Sequence, residues 1–550
     1  MGGEATYWAK KLGRRLSRRE AVRLALRIGA GMGGLSLLGC AASPKITPTP
    51  GATPAAKPVS PGATPTPKPV YGGTLRLAMG QIPGEDPARN LSGSFDYIST
   101  GHMYDSLLVL DHKLTLQPGL AVSWETPEPT RVIFKLSKGV KFHDGSDFNA
   151  AVGKFNYDRQ LDPETKSGGR ADLEKAVQTL EVVDDSTLTY VLKNPSVAFL
   201  VNSMADRAGA MASPAAVKKF NNDLRRNGVG TGPFQHKEWL LDLKQEMVRF
   251  NDYWRKGLPY LDGILTMVVP DETTRKIMLQ TDAVDFAHDM SVVSMEELAK
   301  LPQLEVKFMP GDGIQGILMN MEKPPLDKKA VRQAIAYAID RKAISEAVYR
   351  GKYQPAEGHL GPQYWFYGKV KGYPFDPAKA REKLAEGGYP NGFEVTVIIR
   401  KDRPTLSPLS EAIQAMLSKV GVRLKIQSLE AATYATLQKQ GDYEIAAVQT
   451  PTGADPQAYV NWYLHPEAQY RGAKMSPEAW QLIVKADRTY DQEERGKLYV
   501  EVDKYLTEDV IGFLPIAYNV HRLTYNKRVK NYIPPGNETR WNFSEVWIQA

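Results

Sequence analysis

Between residues 376 and 448 the apolar pattern switches repeatedly between helical and strand spacing, which restricts the possible folds more than anything else in the chain. Asp376-Pro377 joins an N-cap residue type to a proline at the first helical position. The helix it opens runs to Leu384 and stops at Gly387-Gly388. Residues 393–399 then read as a strand and 408–419 as a helix closed by Gly421. Val422, Leu424 and Ile426 mark the next strand, and residues 443–448 another. Helices alternating with apolar strands specify an α/β unit with a partly parallel sheet. The same grammar precedes and follows it. Asp327 is expected to cap a helix whose stripe is Val331, Ala334, Ile335, Ala338 and Ile339, and Asp340 a second carrying Ile344, Ala347 and Val348. Helices are expected at 477–487 and 492–507, and a strand at 511–518.

A chain of 550 residues can bury more than one core and is expected to form at least two compact units. Its net charge of +8 suggests nucleic acid or a membrane surface until its placement is considered. Residues 1–70 hold 11 Lys and Arg against 2 Asp and Glu, leaving 59 basic against 60 acidic residues in the rest. The folding part is therefore near neutral, and charge gives no argument for a nucleic-acid partner. Cys40 is the single cysteine, so no intramolecular disulfide forms and the fold rests on its cores.

Residues 1–40 read as an export signal. Arg14, Arg15, Arg18, Arg19, Arg23 and Arg27 form a basic front, and residues 24–39 a glycine-rich, modestly apolar stretch. That stretch is shorter than the roughly 20 apolar residues a transmembrane helix needs. It ends in Leu37-Leu38-Gly39-Cys40, which resembles a bacterial lipobox, and Cys40 is expected to be lipidated. Residues 17–23, with Arg18-Arg19 at their centre, resemble a twin-arginine export motif. Residues 41–70 are rich in Pro, Thr and Ala and cannot form a core. At about 3.1 Å per residue such a segment reaches on the order of 90 Å, enough for a tether.

The body opens at Tyr71-Gly72-Gly73-Thr74, where Leu75, Leu77 and Met79 alternate as a first strand. Residues 134–148 contain a strand end, a turn at Lys138-Gly139 and another at His143-Asp144-Gly145. A helix from 151 and a strand pair over 180–191 follow. From 229 to 286 the chain reads as turns and short strands: a turn at Gly230, Gly232 and Pro233, a strand near 247–250, and a turn from Asn251 to Pro259. A strand over 264–269 comes next, then a helix capped by Asp271 with Arg275, Lys276 and Gln280 on its polar side. A strand is expected over 313–320.

Taken in order, these blocks resemble the solute-binding proteins of ABC importers in the dipeptide, oligopeptide and nickel class. The resemblance rests on residues 230–234 with Trp239, 251–262, 270–274 and Val284-Asp285. It is supported by the "GGTLR" start, the block at 134–145, and Asn320, Pro324, Pro325 and Asp327 with 331–341. It implies an α/β, two-lobed periplasmic-binding-protein-like fold of the class II, or cluster C, type, with an extra subdomain in the first lobe. The implied layout is signal 1–40, linker 41–70, lobe I from 71–110, 229–317 and 515–550, the subdomain 111–228, and lobe II 318–514. The implied activity is capture of a small ligand, foremost a di- or oligopeptide, between the lobes and its delivery to permease and ATPase subunits. A sugar, opine or metal chelate, or a surface sensor or peptide-chaperone role without transport, are the alternatives. A membrane tether through Cys40, an extracytoplasmic location, a monomer, no cofactor and no nucleic acid complete the expectation.

For ligand contact the resemblance points first to Asp455, in the loop where peptide-binding relatives place a carboxylate for the ligand's amino group. This loop has one aspartate where relatives often have two, and Gln449-Thr450 stand where a tryptophan is usual. Tyr459 and Trp462 are candidates for the cleft wall, as is Gln449 at the strand end. Ser92, Gly93 and Ser94 match a ligand-lining loop of the first lobe. Enzyme signatures are absent: no H-E-x-x-H, G-x-S-x-G, S-x-x-K or phosphate-loop spacing occurs, and the eight histidines are scattered without metal-ligand spacing.

Overall fold

A computed structural model of the chain describes residues 68–82, 84–89, 100–403, 405–450, 453–463, 476–534 and 541–549. The export signal, Cys40, the linker through residue 67, and Ser92, Gly93 and Ser94 lie outside the described residues. The chain divides into two units, Met1–Pro69 and Val70–Ala550, and the second carries the fold described below.

Among the described residues, ten strands form one mixed sheet. Its order is Val422–Leu429, Phe393–Arg400, Ile445–Thr450, Leu304–Met319, Phe513–Asn526, Phe286–Ala287, Thr74–Met79, Gly263–Val268, Lys244–Arg249 and Phe234–Leu240. The first half, from the helix-and-strand region at 376–450, has the expected parallel pairing of Phe393–Arg400 with both its neighbours. Val395, Val397 and Ile399 of that strand join one core cluster while Ile398 joins another, so both its faces are covered by apolar contacts. Burial on both faces is why the strand reads as a nearly continuous apolar run.

Two antiparallel strands, Leu304–Met319 and Phe513–Asn526, run through the middle of this sheet and tie its halves together. Leu304 to Pro310 pair with Asn526 to Val520, beside the first-lobe strands. Ile314 to Leu318 pair with Tyr518 to Phe513, beside Ile445–Thr450. The register shifts between Pro310 and Ile314, at the passage from one lobe to the other. Gly313 lies within this shift with φ +146°. A Cβ there would fall 2.4 Å from Asn519 Nδ2 and 2.5 Å from the Thr450 carbonyl oxygen. Gly313→Ala is therefore expected to cost about 1–3 kcal/mol through strain and displaced neighbours, measured as a lowered denaturant midpoint.

Each lobe has its own core. The first is built around Leu75, Leu77, Phe234, Ile264, Phe286, Tyr525, Trp541 and Phe543. The second packs Ile317, Val331, Ile335, Val397, Ile413 and Leu417 on one sheet face, and Ile314, Tyr459, Ile483, Val502 and Phe513 on the other. A separate antiparallel sheet, in the order Ala121–Glu128, Arg131–Leu136, Thr187–Leu192 and Val177–Asp184, has a core of Val132, Phe134, Leu188, Tyr190 and Phe199. It lies within the segment expected as the additional subdomain.

The turn at Gly230 and Gly232 is packed against backbone. A Cβ on Gly230 would sit 2.1 Å from the Met103 carbonyl oxygen, and one on Gly232 2.5 Å from that of His102. His143 closes the same contact. Its Nε2 lies 3.0 Å from the Gly232 carbonyl oxygen, and its Nδ1 accepts from the Gly230 N–H at 3.3 Å. Burial lowers its pKa to about 4, so the ring is neutral and structural.

Three local expectations change. Asp327 does not cap the following helix, Lys329–Ala338; the N-cap is Lys328, with no side-chain cap bond. Arg275 is buried rather than on the polar side of helix Glu272–Gln280, because its Nη1 donates to the carbonyls of Val269 and Pro270 at 2.7 and 2.8 Å. A strand at Phe234–Leu240 had no apolar alternation to announce it. It is the edge of the sheet, where polar residues are favoured. Asp271, Asp340 and Asp376 cap as expected, each accepting a backbone N–H three residues on.

Candidate functional site

The two crossing strands carry buried polar residues where they pass between lobes. Gln315 lies opposite Gln449 in the register, which places both side chains on one sheet face. Gln315 is buried and its Nε2 donates to Asn519 Oδ1 at 2.9 Å, while its Oε1 takes no hydrogen bond among the described residues. Gln449 is half-buried at the end of Ile445–Thr450, and Thr450 beside it is fully buried. Polar groups are costly in a core, so their concentration at a crossing marks a place where a ligand or a moving joint needs them.

On the first-lobe side, the residues after Phe286–Ala287 form an arginine-held corner. Arg275 Nη2 donates to the Asp289 carbonyl at 3.1 Å. Arg522, on the crossing strand, donates to Asp289 Oδ1 at 2.6 Å and to the Met290 carbonyl at 3.1 Å. The His288 ring lies 5.4 Å from that of Trp541, and burial lowers its pKa to about 4. On the second-lobe side, Arg403 is exposed before helix Leu406–Ser418, and its guanidinium takes no partner among the described residues. The corner's recess tends to raise the Asp289 pKa. The positive charges of Arg522, Arg275 and Arg403 outweigh this and hold it below the usual carboxylate range. Arg403 is thus within electrostatic reach of Asp289 although the two belong to different lobes.

Of the other expected ligand contacts, Asp455 and Tyr459 lie inside the second lobe. Asp455 is 2 % exposed, and both its oxygens are taken up inside the chain. Oδ2 lies 2.6 Å from Arg495 Nη1, and Oδ1 accepts from Arg495 Nη2 at 2.9 Å and from the Gln457 N–H at 3.0 Å. Arg495 also donates to the Ala486 carbonyl at 2.9 Å and sits 5.0 Å from the Tyr499 ring centroid. Tyr364 pins the same loop by donating to the Gly453 carbonyl at 2.9 Å. Asp455 is therefore the internal partner of a buried arginine. Tyr459 is fully buried in the second-lobe core, with His359 and Phe513 each 6.1 Å away by ring centroid. Trp462 lies in helix Pro456–Tyr463, but its side chain is outside the described residues, as are Ser92, Gly93 and Ser94.

Sequence reasoning passed over Arg275, Asp289, Arg403, Arg495 and Arg522. Only Arg495 left a legible signal: a cation on the apolar stripe of helix Gln492–Tyr505, aligned with Leu498, Tyr499 and Val502. Arg275 lies in helix Glu272–Gln280, where spacing put it on the polar side, and the others sit in loops or on a strand, where nothing local separates them from ordinary surface charges.

A second contact joins helix Pro477–Arg488 and the residues after it to Pro129 and residues 194–198, which flank the separate four-stranded sheet. Asp487 Oδ1 accepts from Ser196 Oγ at 3.1 Å and from the Ala198 N–H at 3.0 Å. Arg488 donates to Asn194 Oδ1 at 2.9 Å and Tyr490 to the Pro129 carbonyl at 3.2 Å. Burial, joined by the charge of Asp455 and opposed by Arg495 and the two hydrogen bonds, raises the Asp487 pKa to about 6. Released into water it would titrate near the ordinary value of about 3.9. The contact thus binds a proton more tightly than the separated state does. It strengthens as pH falls from about 6 toward about 4 and bears its full charge penalty above about 6. Protection of residues 194–198 from hydrogen exchange, relative to their intrinsic rates, is expected to be greater at pH 4.5 than at 7.5. In Asp487→Asn the two rates, corrected for intrinsic exchange, should agree.

Among the described residues no group of His, Cys, Asp or Glu is arranged to hold a metal ion, and no helix is long and apolar enough to cross a membrane. The family description "bacterial extracellular solute-binding proteins, family 5 middle" matches residues 115–471. The glutathione-binding protein GsiB of Pectobacterium atrosepticum is 34% identical over 455 residues, covering 80% of this chain and 88% of that protein. The periplasmic binding protein DppA of Helicobacter pylori, solved with the peptide STSA, superposes with a TM-score of 0.75 at 28% identity, over 88% of this chain and 99% of that one. AgaA of A. tumefaciens R10, solved with agropinic acid, gives 0.75 at 26% identity, over 87% and 99%.

Proposed function

The chain belongs to the family 5 bacterial extracellular solute-binding proteins, and from that premise we propose that it captures a peptide-like solute between its lobes and delivers it to the permease and ATPase subunits of an ABC importer. The observation that carries this reading is the cleft's charge arrangement. Arg403 on one lobe, whose guanidinium takes no hydrogen bond among the described residues, acts electrostatically on Asp289 of the other, which Arg522 holds at 2.6 Å. A solute with a free carboxylate gives Arg403 the hydrogen-bond partner it lacks among the described residues. Glutathione and short peptides, the ligands named for the relatives above, have such a carboxylate.

Closure then follows from contacts that both lobes make to one ligand, with the Gly313 register shift as the joint. The test is mass spectrometry of small molecules retained by gently purified protein, followed by calorimetric titration with glutathione and dipeptides. Small-angle scattering should show a smaller radius of gyration on binding. Retention of a non-peptide solute, with no heat from any peptide, would sink the reading. An opine-like solute is the second reading, and the internal pairing of Asp455 favours it, since the 453–455 loop then offers no free carboxylate to an amine.

The protein is further proposed to be an exported lipoprotein, tethered through Cys40 by the Pro-rich linker. Cys40→Ala should release it from the membrane fraction and abolish lipid-dependent processing. Equal membrane retention of that variant would remove the anchor. Lysine at both Arg18 and Arg19 should block export in a host with an intact twin-arginine pathway.

A further inference from the structure

We propose that Asp289 holds the ammonium end of the bound solute, so that the cleft selects a zwitterion whose carboxylate Arg403 takes from the opposite lobe. The inference rests on the peptide-like reading above and assigns the position that Asp455 cannot fill.

Three observations carry it. First, the only aspartate in the 449–455 loop is consumed. Arg495 takes both oxygens of Asp455, and the group is closed off from solvent. An ammonium ion arriving there would have to displace a buried guanidinium.

Second, Asp289 is built to present a charge. Its backbone is held at φ 55°, in the left-handed region that a non-glycine residue adopts only at a cost. Arg275 fixes that conformation through the Asp289 carbonyl and is itself locked onto the carbonyls of Val269 and Pro270. Arg522 fixes the side chain through Oδ1. The arrangement is a carboxylate oriented before any ligand arrives, which removes an ordering cost from binding.

Third, the carboxylate is incompletely used. Its side chain keeps 48 % of its surface exposed. Oδ2 takes no hydrogen bond among the described residues. A carboxylate accepts at both oxygens, and an ammonium donor fits the open one while Arg522 keeps the other. The charges of Arg522, Arg275 and Arg403 act on Asp289, while Glu272 lies beside Arg275 and Asp402 beside Arg403. A solute with one ammonium and at least one carboxylate is the chemistry that matches both lobes.

The experiment is calorimetric titration of purified protein with glutathione, Met-Leu and Ser-Thr-Ser-Ala, each beside its N-acetylated form. Acetylation removes the ammonium charge and leaves the carboxylates. Wild type is expected to prefer at least one free-amine probe by roughly 30-fold or more, the scale set by losing one partner of an enclosed charge pair. Asp289→Asn keeps an oxygen for Arg522 and should narrow that preference to about threefold or less, while Asp289→Glu retains part of it. Melting curves of the variants check that the fold is kept. A full preference surviving in folded Asp289→Asn would overturn the assignment, as would a wild type that binds free and acetylated forms alike. A wild type that binds none of the six probes defeats the peptide-like reading itself, and the inference with it.

Discussion

Asp455→Asn is expected to destabilise the second lobe by about 3–5 kcal/mol, the usual cost of removing one partner of a buried ion pair. The side chains of Asp455 and Arg495 are 2 % and 4 % exposed, so the guanidinium left behind would keep its charge without water or a hydrogen-bonded carboxylate, with only the charge of Asp487 still acting on it. The amide of asparagine can still accept one hydrogen bond, which places the loss within that range rather than above it. A double variant, Asp455→Ala with Arg495→Met, removes both charges and is expected to recover most of the stability, because exchanging a whole buried pair for apolar groups is often close to neutral. Urea unfolding of the three proteins without ligand checks both statements. If Asp455→Asn unfolds at the wild-type midpoint and only ligand affinity falls, the aspartate faces the ligand and the ion pair is incidental.

Arg403→Ala is expected to weaken binding of a carboxylate-bearing peptide by roughly 30-fold or more and to leave the melting curve unchanged. The side chain is exposed and takes no hydrogen bond among the described residues, so its removal costs the apo fold only solvent-screened attraction to Asp289 and Asp402. Arg403→Lys should restore only part of the affinity, since an ammonium cannot reproduce the two-pronged contact of a guanidinium with a carboxylate. Amidating the probe's C-terminus should reproduce the loss in wild type and add little to that of Arg403→Ala. Full affinity for the acid form in Arg403→Ala would exclude the arginine from the site.

These expectations concern residues of very different legibility. The caps at Asp271, Asp340 and Asp376 depend only on neighbours within three residues, and each was readable from sequence spacing. Asp327 shows the limit of that reasoning. It has the right chemistry one residue too early, and Lys328 is the N-cap. Arg275 has the opposite history. Helical spacing put a cation on a polar face, but two loop carbonyls and the Asp289 carbonyl lie there and enclose it. Strand Leu304–Met319 was readable only from residue 313 on. Its first half, LEVKFMP, owes its pairing to Phe513–Asn526, more than 200 residues further along.

The sequence by itself determined the alternation of helices and strands, the large cores and the order of blocks that marks the family. All of these follow from apolar periodicity, turn residues and caps acting over a few positions. It also carried the basic front, the lipobox-like tetrad and the linker, which are features of composition. Only the tertiary structure decided which charges are spent and which are available. Asp455 and Asp289 are both aspartates in loops near strand ends. One is closed off by an arginine 40 residues away, while the other is oriented by arginines 14 residues before it and 233 after and left open on one side. Whether a carboxylate meets a guanidinium of its own chain is settled by long-range packing, and one-dimensional spacing has no term for it.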